Sequence, residues 1–288
     1  MLRWRLSLGT LIVLLLIGLV WLDHRANVPG AWLFPLAVVL ALLATHEVLG
    51  LLANRGLRPI GWLVYAGNVL LLVAFWLPLA FLPLPKGEGT AWPVVALAVV
   101  VFALFCGEMR RYERPGEATG NLAAAVLAVV YVGVMFGLIV QLRMLYGVGA
   151  LAALVIVVKM GDSGAYAVGK PLGRHKLTPV LSPNKTVEGA VGQLLTTALT
   201  AWAAFAWLVP LTLPAGAPPT AWWRAMLFGL LVGGAGMIGD LAESLLKRDC
   251  GSKDSSRWLP GYGGVLDLLD SLLLAAPAAW LCWTLGLV

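Results

Sequence analysis

Residues 121–140 have the sequence NLAAAVLAVVYVGVMFGLIV, in which no side chain carries a charge. A helix of this length spans about 30 Å, which matches the hydrocarbon core of a lipid bilayer. The segment therefore predicts a transmembrane helix.

Apolar runs of this kind recur along the chain of 288 residues, of which 60% are hydrophobic and 12% are charged. That composition, with a mean hydropathy of +0.90, excludes a soluble globular domain and is typical of a polytopic integral membrane protein. We expect an all-α fold of about nine transmembrane helices. Their approximate positions are 6–22, 31–53, 60–82, 92–107, 121–140, 147–158, 190–210, 221–246 and 267–287.

Lysine and arginine are distributed unevenly between the predicted loops. All but four of the twenty lie at the N-terminus or in 53–59, 108–120, 159–189 and 247–263. Positive residues are retained on the cytoplasmic side of a membrane, so we predict a cytoplasmic N-terminus, an external C-terminus and cytoplasmic loops at 159–189 and 247–263. This bias explains most of the net charge of +6, and nucleic acid is not needed as a partner.

The two halves of the chain differ in character. Residues 1–145 are almost uniformly apolar spans with short links, and we interpret them as scaffold helices. Residues 146–288 carry the dense polar clusters and are interpreted as the catalytic region. No internal repeat is evident.

Charge is concentrated between Gly239 and Ser271. One set of polar residues has the i, i+3, i+4, i+7 spacing of a single helix face. That set is Asp240, Glu243, Ser244 and Lys247, with Arg248 adjoining it. A second set, on the last helix after the Gly-rich turn 260–264, is Asp267, Asp270 and Ser271.

Charged side chains are costly in a membrane and by default mark a site for an ion or a phosphate. Carboxylates bind Mg²⁺, the metal bridges phosphate oxygens, and Lys or Arg neutralises charge during phosphoryl transfer. The alternative is simple ion pairing between helices, which is as good an interpretation for Glu243 or Asp249 alone. For Asp240, Asp267 and Asp270 together, the binding site is favoured.

A second polar segment, 159–189, combines small residues, hydroxyls and bases. It contains Asp162-Ser163-Gly164-Ala165-Tyr166 and Ser182-Pro183-Asn184-Lys185-Thr186. Such a surface suits phosphate groups, although basic cytoplasmic loops are common in membrane proteins. The chain lacks a GxxxxGK[ST] sequence, so a P-loop nucleotidase is not predicted.

These motifs resemble those of the phosphatidate cytidylyltransferase (CDP-diglyceride synthase) family of integral membrane enzymes. The family signature runs Ser, two residues, Lys-Arg, four residues, Lys-Asp, then Pro-Gly-His-Gly-Gly and Asp-Arg-x-Asp. The matching residues are Ser244, Lys247, Arg248, Lys253, Asp254, Pro260, Gly261, Gly263, Gly264, Asp267 and Asp270. The two motifs of segment 159–189 and Gly239-Asp240-Leu241 also look like family elements. Tyr262 and Leu268 stand where the family usually has His and Arg.

The resemblance implies transfer of CMP from CTP to phosphatidic acid, which gives CDP-diacylglycerol and pyrophosphate. On this hypothesis Asp240, Asp267 and Asp270 hold Mg²⁺, with a second cation as a further option, and Lys247 and Arg248 stabilise the leaving group. The predicted substrate-binding residues are Asp162, Ser163, Ser182, Lys185, Thr186, Ser244, Lys253, Asp254, Gly263 and Gly264. The family is usually dimeric, so a homodimer is expected. The expected location is a bacterial inner membrane, with the active site facing the cytoplasm.

Three alternatives remain open. A related CTP-dependent enzyme would act on another lipid phosphate or on a lipid alcohol, and acceptor profiling would identify it. A transporter would also carry intramembrane carboxylates, but it would typically show inverted repeats. An inactive homologue is suggested by Tyr262 and Leu268.

Overall fold

The computed structural model describes residues 2–82, 91–113, 115–213, 218–256, 258 and 263–288, with the backbone alone for 2–8 and 12. The described chain is almost entirely helical. The helices are α1 Leu2–His24, α2 Leu33–Asn54, α3 Gly61–Phe81, α4 Ala91–Arg110, α5 Ala118–Ala128, α6 Met135–Leu172, α7 Val187–Ala203, α8 Trp222–Asp249 and α9 Leu266–Thr284. A π-helical turn, Val129–Val134, joins α5 to α6, and Ala204–Leu208 and Val209–Thr212 extend α7.

The predicted all-α membrane fold is confirmed. Seven helices in the described part of the chain are long and apolar enough to cross a membrane. One of them is the continuous stretch Ala118–Leu172 of 55 residues, which is interrupted at Gly147, where φ is 85°. The total of nine spans and their orientation stay predictions.

The loop that we expected to begin at residue 159 begins later, and that prediction is wrong. Helix α6 continues to Leu172, and the following segment contains a short antiparallel hairpin of β1 Lys176–Thr178 and β2 Ser182–Thr186. We expected the small residues of 159–172 to form part of a loop that suits phosphate groups. Instead, Gly161 and Gly164 face Thr197 and Thr196 of α7, where small side chains allow two helices to pack closely.

The chain divides into two compact units. Unit 1 comprises residues 1–144 and 249–268, and unit 2 comprises residues 145–248 and 269–288. Residues 249–268, which we grouped with the catalytic region, therefore belong to the same compact unit as the N-terminal helices.

Unit 1 contains a buried ion pair that we did not predict from the sequence. The guanidinium of Arg143 approaches Asp23 Oδ2 at 2.6 Å, and the exposed fractions of the two side chains are 11% and 0%. The other carboxylate oxygen of Asp23 accepts hydrogen bonds from the backbone N–H groups of Trp32 and Leu33. One carboxylate therefore neutralises a buried arginine and also satisfies backbone donors at the start of α2.

Unit 2 is assembled through glycines at helix contacts. Gly229 and Gly233 of α8 lie against Thr197 and its neighbours on α7, so that an added Cβ at Gly233 would stand 2.7 Å from Thr197 Cγ2. Two turns further along, Gly239 lies against the backbone of α9. Without a dedicated hydrophobic driving force between helices in lipid, close backbone approach of this kind supplies much of the packing energy.

Candidate functional site

Unit 2 brings together five charged residues from four elements, here named the charged cluster. They are Lys159 and Asp162 of α6, Lys185 of β2, Asp240 of α8 and Asp270 of α9. Lys185 Nζ lies 2.7 Å from Asp240 Oδ2, and Lys159 Nζ lies 3.3 Å from Asp162 Oδ2. Asp240 is near enough to repel both other carboxylates, and Lys159 is near enough to attract Asp270.

The β-hairpin sets the position of Lys185 in the charged cluster. The hairpin ends at Thr186, whose hydroxyl accepts a hydrogen bond from the backbone N–H of Gly189 and so caps α7. At its other end, the Glu188 carboxylate accepts hydrogen bonds from the backbone N–H groups of Arg174 and His175. Both strands are thereby tied to the first turn of α7, with Lys185 one residue before the helix cap.

Asp270 is buried against α8, with 6% of the residue exposed. Its Oδ1 accepts a hydrogen bond from the Ser271 hydroxyl at 2.8 Å and one from the Ser271 backbone N–H. An added Cβ at Gly239 would stand 2.5 Å from the Asp270 carbonyl oxygen. The glycine before Asp240 therefore allows the two acidic residues to approach each other.

The basic end of α8 is also partly paired. Lys247 Nζ lies 2.5 Å from Glu243 Oε2, and the Glu243 side chain is 1% exposed. Ser244 is buried beside it. Arg248 donates a hydrogen bond to the carbonyl of Leu181 in the hairpin at 3.4 Å. The structure therefore shows Glu243 in an ion pair with Lys247, which is the alternative interpretation given above for this residue.

Asp267 belongs to a different cluster, in unit 1. Its Oδ2 accepts hydrogen bonds from the Ser255 hydroxyl at 2.5 Å, the Ser255 N–H at 3.2 Å and the Gly264 N–H at 2.7 Å. Gly263 has a φ of 89°, a conformation that glycine adopts readily. An added Cβ there would stand 2.6 Å from Asp267 Oδ2. The backbone at Gly263 and Gly264 thus lies closely around this carboxylate.

Glu47 of α2 is both a helix cap and an interhelical partner. Its carboxylate accepts hydrogen bonds from the backbone N–H groups of Val265 and Leu266 at the start of α9. The local sequence could not predict these partners, because Val265 and Leu266 lie 218 and 219 positions after Glu47.

Several other predicted residues lie outside these contacts. Ser163 donates a hydrogen bond to the Lys159 carbonyl on its own helix, Ser182 is half-buried in β2, and Lys253 and Asp254 are exposed. Asp249 pairs with Arg55 on the surface of unit 1 at 2.9 Å, which is the simple ion pair of our alternative interpretation. The predicted turn residues Pro260, Gly261 and Tyr262 lie outside the described residues, as does Arg257.

The carboxylates of unit 2 can be compared with the ligands that a cation requires. Among the residues that the structure describes, no three His, Cys, Asp or Glu side chains form a ready-made metal site. Mg²⁺, however, commonly takes one or two carboxylates and completes its shell with water and phosphate oxygens. Asp240, with 37% of its side chain exposed, and the nearby Asp270 fit a cation that arrives with a phosphate.

Comparison with known proteins agrees with the sequence motifs. A model of the cytidylyltransferase family matches residues 3–285. A phosphatidate cytidylyltransferase of Mycobacterium bovis is 34% identical over 286 residues, which cover 96% of this chain and 88% of the relative. The enzyme of that name from Bacillus subtilis is 32% identical over 84% of this chain and 86% of its own length. The enzyme from Staphylococcus epidermidis is also 32% identical, over 86% of this chain and 88% of its own length. The resemblance in the motifs thus extends over nearly the whole sequence, and this chain belongs to the cytidylyltransferase family.

Proposed function

We propose that this protein is a phosphatidate cytidylyltransferase, which transfers CMP from CTP to phosphatidic acid and releases pyrophosphate. Family membership and the names of the relatives support the reaction. The structural observation that carries the proposal is the charged cluster, in which three carboxylates and two lysines from three helices and the hairpin converge. A purely structural ion-pair network would not need a surplus of carboxylates in a membrane.

Catalysis of this reaction requires positioning of the two substrates and neutralisation of their charge more than a general base. A phosphate oxygen of phosphatidic acid attacks the α-phosphorus of CTP, a new P–O–P bond forms, and the bond to the β-phosphate breaks. The nucleophile is already an oxyanion, so no proton has to be removed. Pyrophosphate carries away the electron pair of the broken bond.

The basic residues of the charged cluster and of the end of α8 would neutralise the charge that develops on the phosphate groups. Lys185 and Lys159 now pair with Asp240 and Asp162, and both are long enough to turn toward a phosphate that enters beside those carboxylates. Arg248 and Lys247 at the end of α8 would stabilise the pyrophosphate. Mg²⁺ held by Asp240 and Asp270 would supply Lewis-acid stabilisation of the phosphate oxygens. The third predicted ligand, Asp267, stays a prediction.

The expected location of the protein agrees with this reaction. The protein is an integral membrane protein, and its relatives are bacterial. The predicted positive-inside topology puts both polar loops in the cytoplasm, where CTP is found. We therefore propose an inner-membrane enzyme whose site opens to the cytoplasm, while the acyl chains of the lipid stay in the bilayer between helices. A homodimer is proposed from the family resemblance.

The deciding experiment measures pyrophosphate release and CDP-diacylglycerol formation by purified protein with CTP, Mg²⁺ and phosphatidic acid. Both products should appear in equal amounts, and Asp240→Asn should reduce both strongly. A lack of turnover with phosphatidic acid, or faster turnover with another lipid phosphate or a lipid alcohol, would overturn the proposed substrate. Wild-type turnover by Asp267→Asn would overturn the assignment of that residue to the metal.

A second variant tests the departure from the family pattern. Leu268→Arg restores the usual basic residue in the first turn of α9, between Asp267 and Asp270. If the missing charge limits this enzyme, the variant should bind CTP more tightly or turn over faster. An unchanged enzyme would mean that other basic residues compensate.

A further inference from the structure

We infer that Glu47 is a positioning residue for Asp267, since it fixes both Ser255, which binds Asp267, and the first turn of α9. The effect on turnover rests on the proposed function, whereas the effect on the turn does not. Glu47 lies on α2 among the scaffold helices, and only 3% of the residue is exposed.

Both oxygens of the Glu47 carboxylate are used in the same way. Oε1 accepts hydrogen bonds from the Ser256 hydroxyl at 2.6 Å and the Val265 N–H at 2.9 Å. Oε2 accepts from the Ser255 hydroxyl at 3.0 Å and the Leu266 N–H at 2.7 Å. Each oxygen therefore joins one serine of 255–256 to one backbone N–H at the start of α9, so that a single side chain clamps these two described segments together.

The backbone donors explain why a carboxylate is suited to this position. Val265 and Leu266 stand at the N-terminus of α9, where the first N–H groups have no partner within the helix. An anion at that end is also favoured by the helix dipole. In most helices the capping side chain comes from a neighbouring residue, whereas here it comes from another helix. The start of α9 is consequently fixed to α2.

Ser255 links this clamp directly to Asp267. Its hydroxyl has a single proton, which is shared between Glu47 Oε2 at 3.0 Å and Asp267 Oδ2 at 2.5 Å. Gly264, whose N–H binds Asp267, directly precedes the two residues whose N–H groups bind Glu47. The position of Asp267 thus depends on Ser255, which Glu47 binds, and on Gly264, which directly precedes the N–H groups that Glu47 binds.

Glutamine in place of Glu47 tests the clamp with almost no change in volume. Its amide nitrogen cannot accept a hydrogen bond, so one hydroxyl and one backbone donor lose their acceptor. In the full-length protein in detergent, without substrates, amide hydrogen exchange at Gly264, Val265 and Leu266 should become about tenfold faster or more, as expected for loss of a charge-assisted hydrogen bond. With CTP and phosphatidic acid, kcat should fall by a larger factor than KM for CTP rises.

Glu108→Gln is the matched control. Glu108 is another buried carboxylate in unit 1, and it pairs with Arg111 rather than with the turn. This variant should leave both the exchange rates at 264–266 and kcat unchanged. Ser255→Ala keeps Glu47 intact and removes only the bridging hydroxyl. It tests the same inference if Glu47→Gln does not fold, and it should also lower kcat. Its effect and that of Glu47→Gln should be less than additive, because both variants break one network.

The possible outcomes separate this inference from the proposed function. Unchanged exchange at 264–266 in Glu47→Gln would overturn the clamp, and faster exchange with wild-type kcat would overturn its role in positioning Asp267. If Ser255→Ala retains wild-type kcat, the link through the hydroxyl is wrong. If the wild-type protein releases no pyrophosphate, the proposed function fails and the role of Glu47 in turnover fails with it, while the exchange rates still decide whether Glu47 holds the turn.

Discussion

Replacing Gly239 by alanine should damage activity far more than stability. An added Cβ would stand 2.5 Å from the Asp270 carbonyl oxygen and 3.1 Å from Ser271 Cα, both in the backbone of α9. To restore an ordinary contact of about 3.4 Å, the two helices would have to separate locally by about 0.9 Å. A backbone cannot rotate away as a side chain can, so the shift is transmitted to Asp240 and Asp270.

The expected magnitudes follow from this displacement. Overpacking of a close contact costs about 1–3 kcal/mol, and the better helix propensity of alanine offsets about 1 kcal/mol. The net loss of stability should therefore stay below about 2 kcal/mol. A displacement of about 1 Å in a reacting constellation, by contrast, can lower the rate about 100-fold. We expect pyrophosphate release to fall by roughly 10- to 100-fold.

Gly234→Ala is the control on the same helix. Among the described residues, no atom beyond the neighbouring backbone of α8 lies within 4 Å of a Cβ added at Gly234, so alanine should raise thermal stability slightly and leave turnover unchanged. Thermal unfolding in detergent and pyrophosphate release should be measured side by side for both variants. If Gly239→Ala behaves like Gly234→Ala in both assays, the close approach of α8 and α9 does not govern the site.

Three further predictions concern other parts of the molecule. Arg143→Gln should destabilise the protein by about 3–5 kcal/mol because it leaves the buried Asp23 carboxylate without its cation. Arg55→Gln breaks an exposed ion pair and should cost less than about 1 kcal/mol, so similar unfolding temperatures for the two variants would contradict this prediction. Thr186→Ala should lower the stability of the protein by about 1 kcal/mol through loss of the cap of α7. Because Lys185 directly precedes that cap, KM for CTP should also rise, and an unchanged KM would contradict this prediction. Removal of divalent cations with EDTA should abolish pyrophosphate release and added Mg²⁺ should restore it, whereas full turnover in EDTA would show that no such cation takes part.

The sequence predicted the helices well because the signal is local. Runs such as 121–140 are apolar throughout, and a bilayer requires that their backbone polar groups be satisfied within the segment. The error at 159–172 arose because glycine and serine are common both in turns and at helix contacts. Only the position of Thr196 and Thr197 on α7, opposite Gly164 and Gly161, shows which of the two uses applies.

The candidate site was predictable in its residue types and not in its pairings. Spacing on α8 and α9 identified Asp240, Asp267 and Asp270 as a group of interest. It did not show that Lys185, more than fifty residues earlier in the chain, would be the partner of Asp240. Nor did it show that Asp267 is bound by Ser255 and Gly264 within a segment clamped by a glutamate of α2.

By itself, then, the sequence determined the membrane class, the all-α architecture and the family, since hydropathy and an ordered motif are properties of neighbouring residues. Tertiary structure decided which charges neutralise one another and which helix start receives its cap from a distant side chain. The physical reason is that a charge in an apolar surrounding takes whichever partner packing brings within about 3 Å. Packing between helices depends on glycines such as Gly239, whose importance comes from the backbone of α9 lying opposite it.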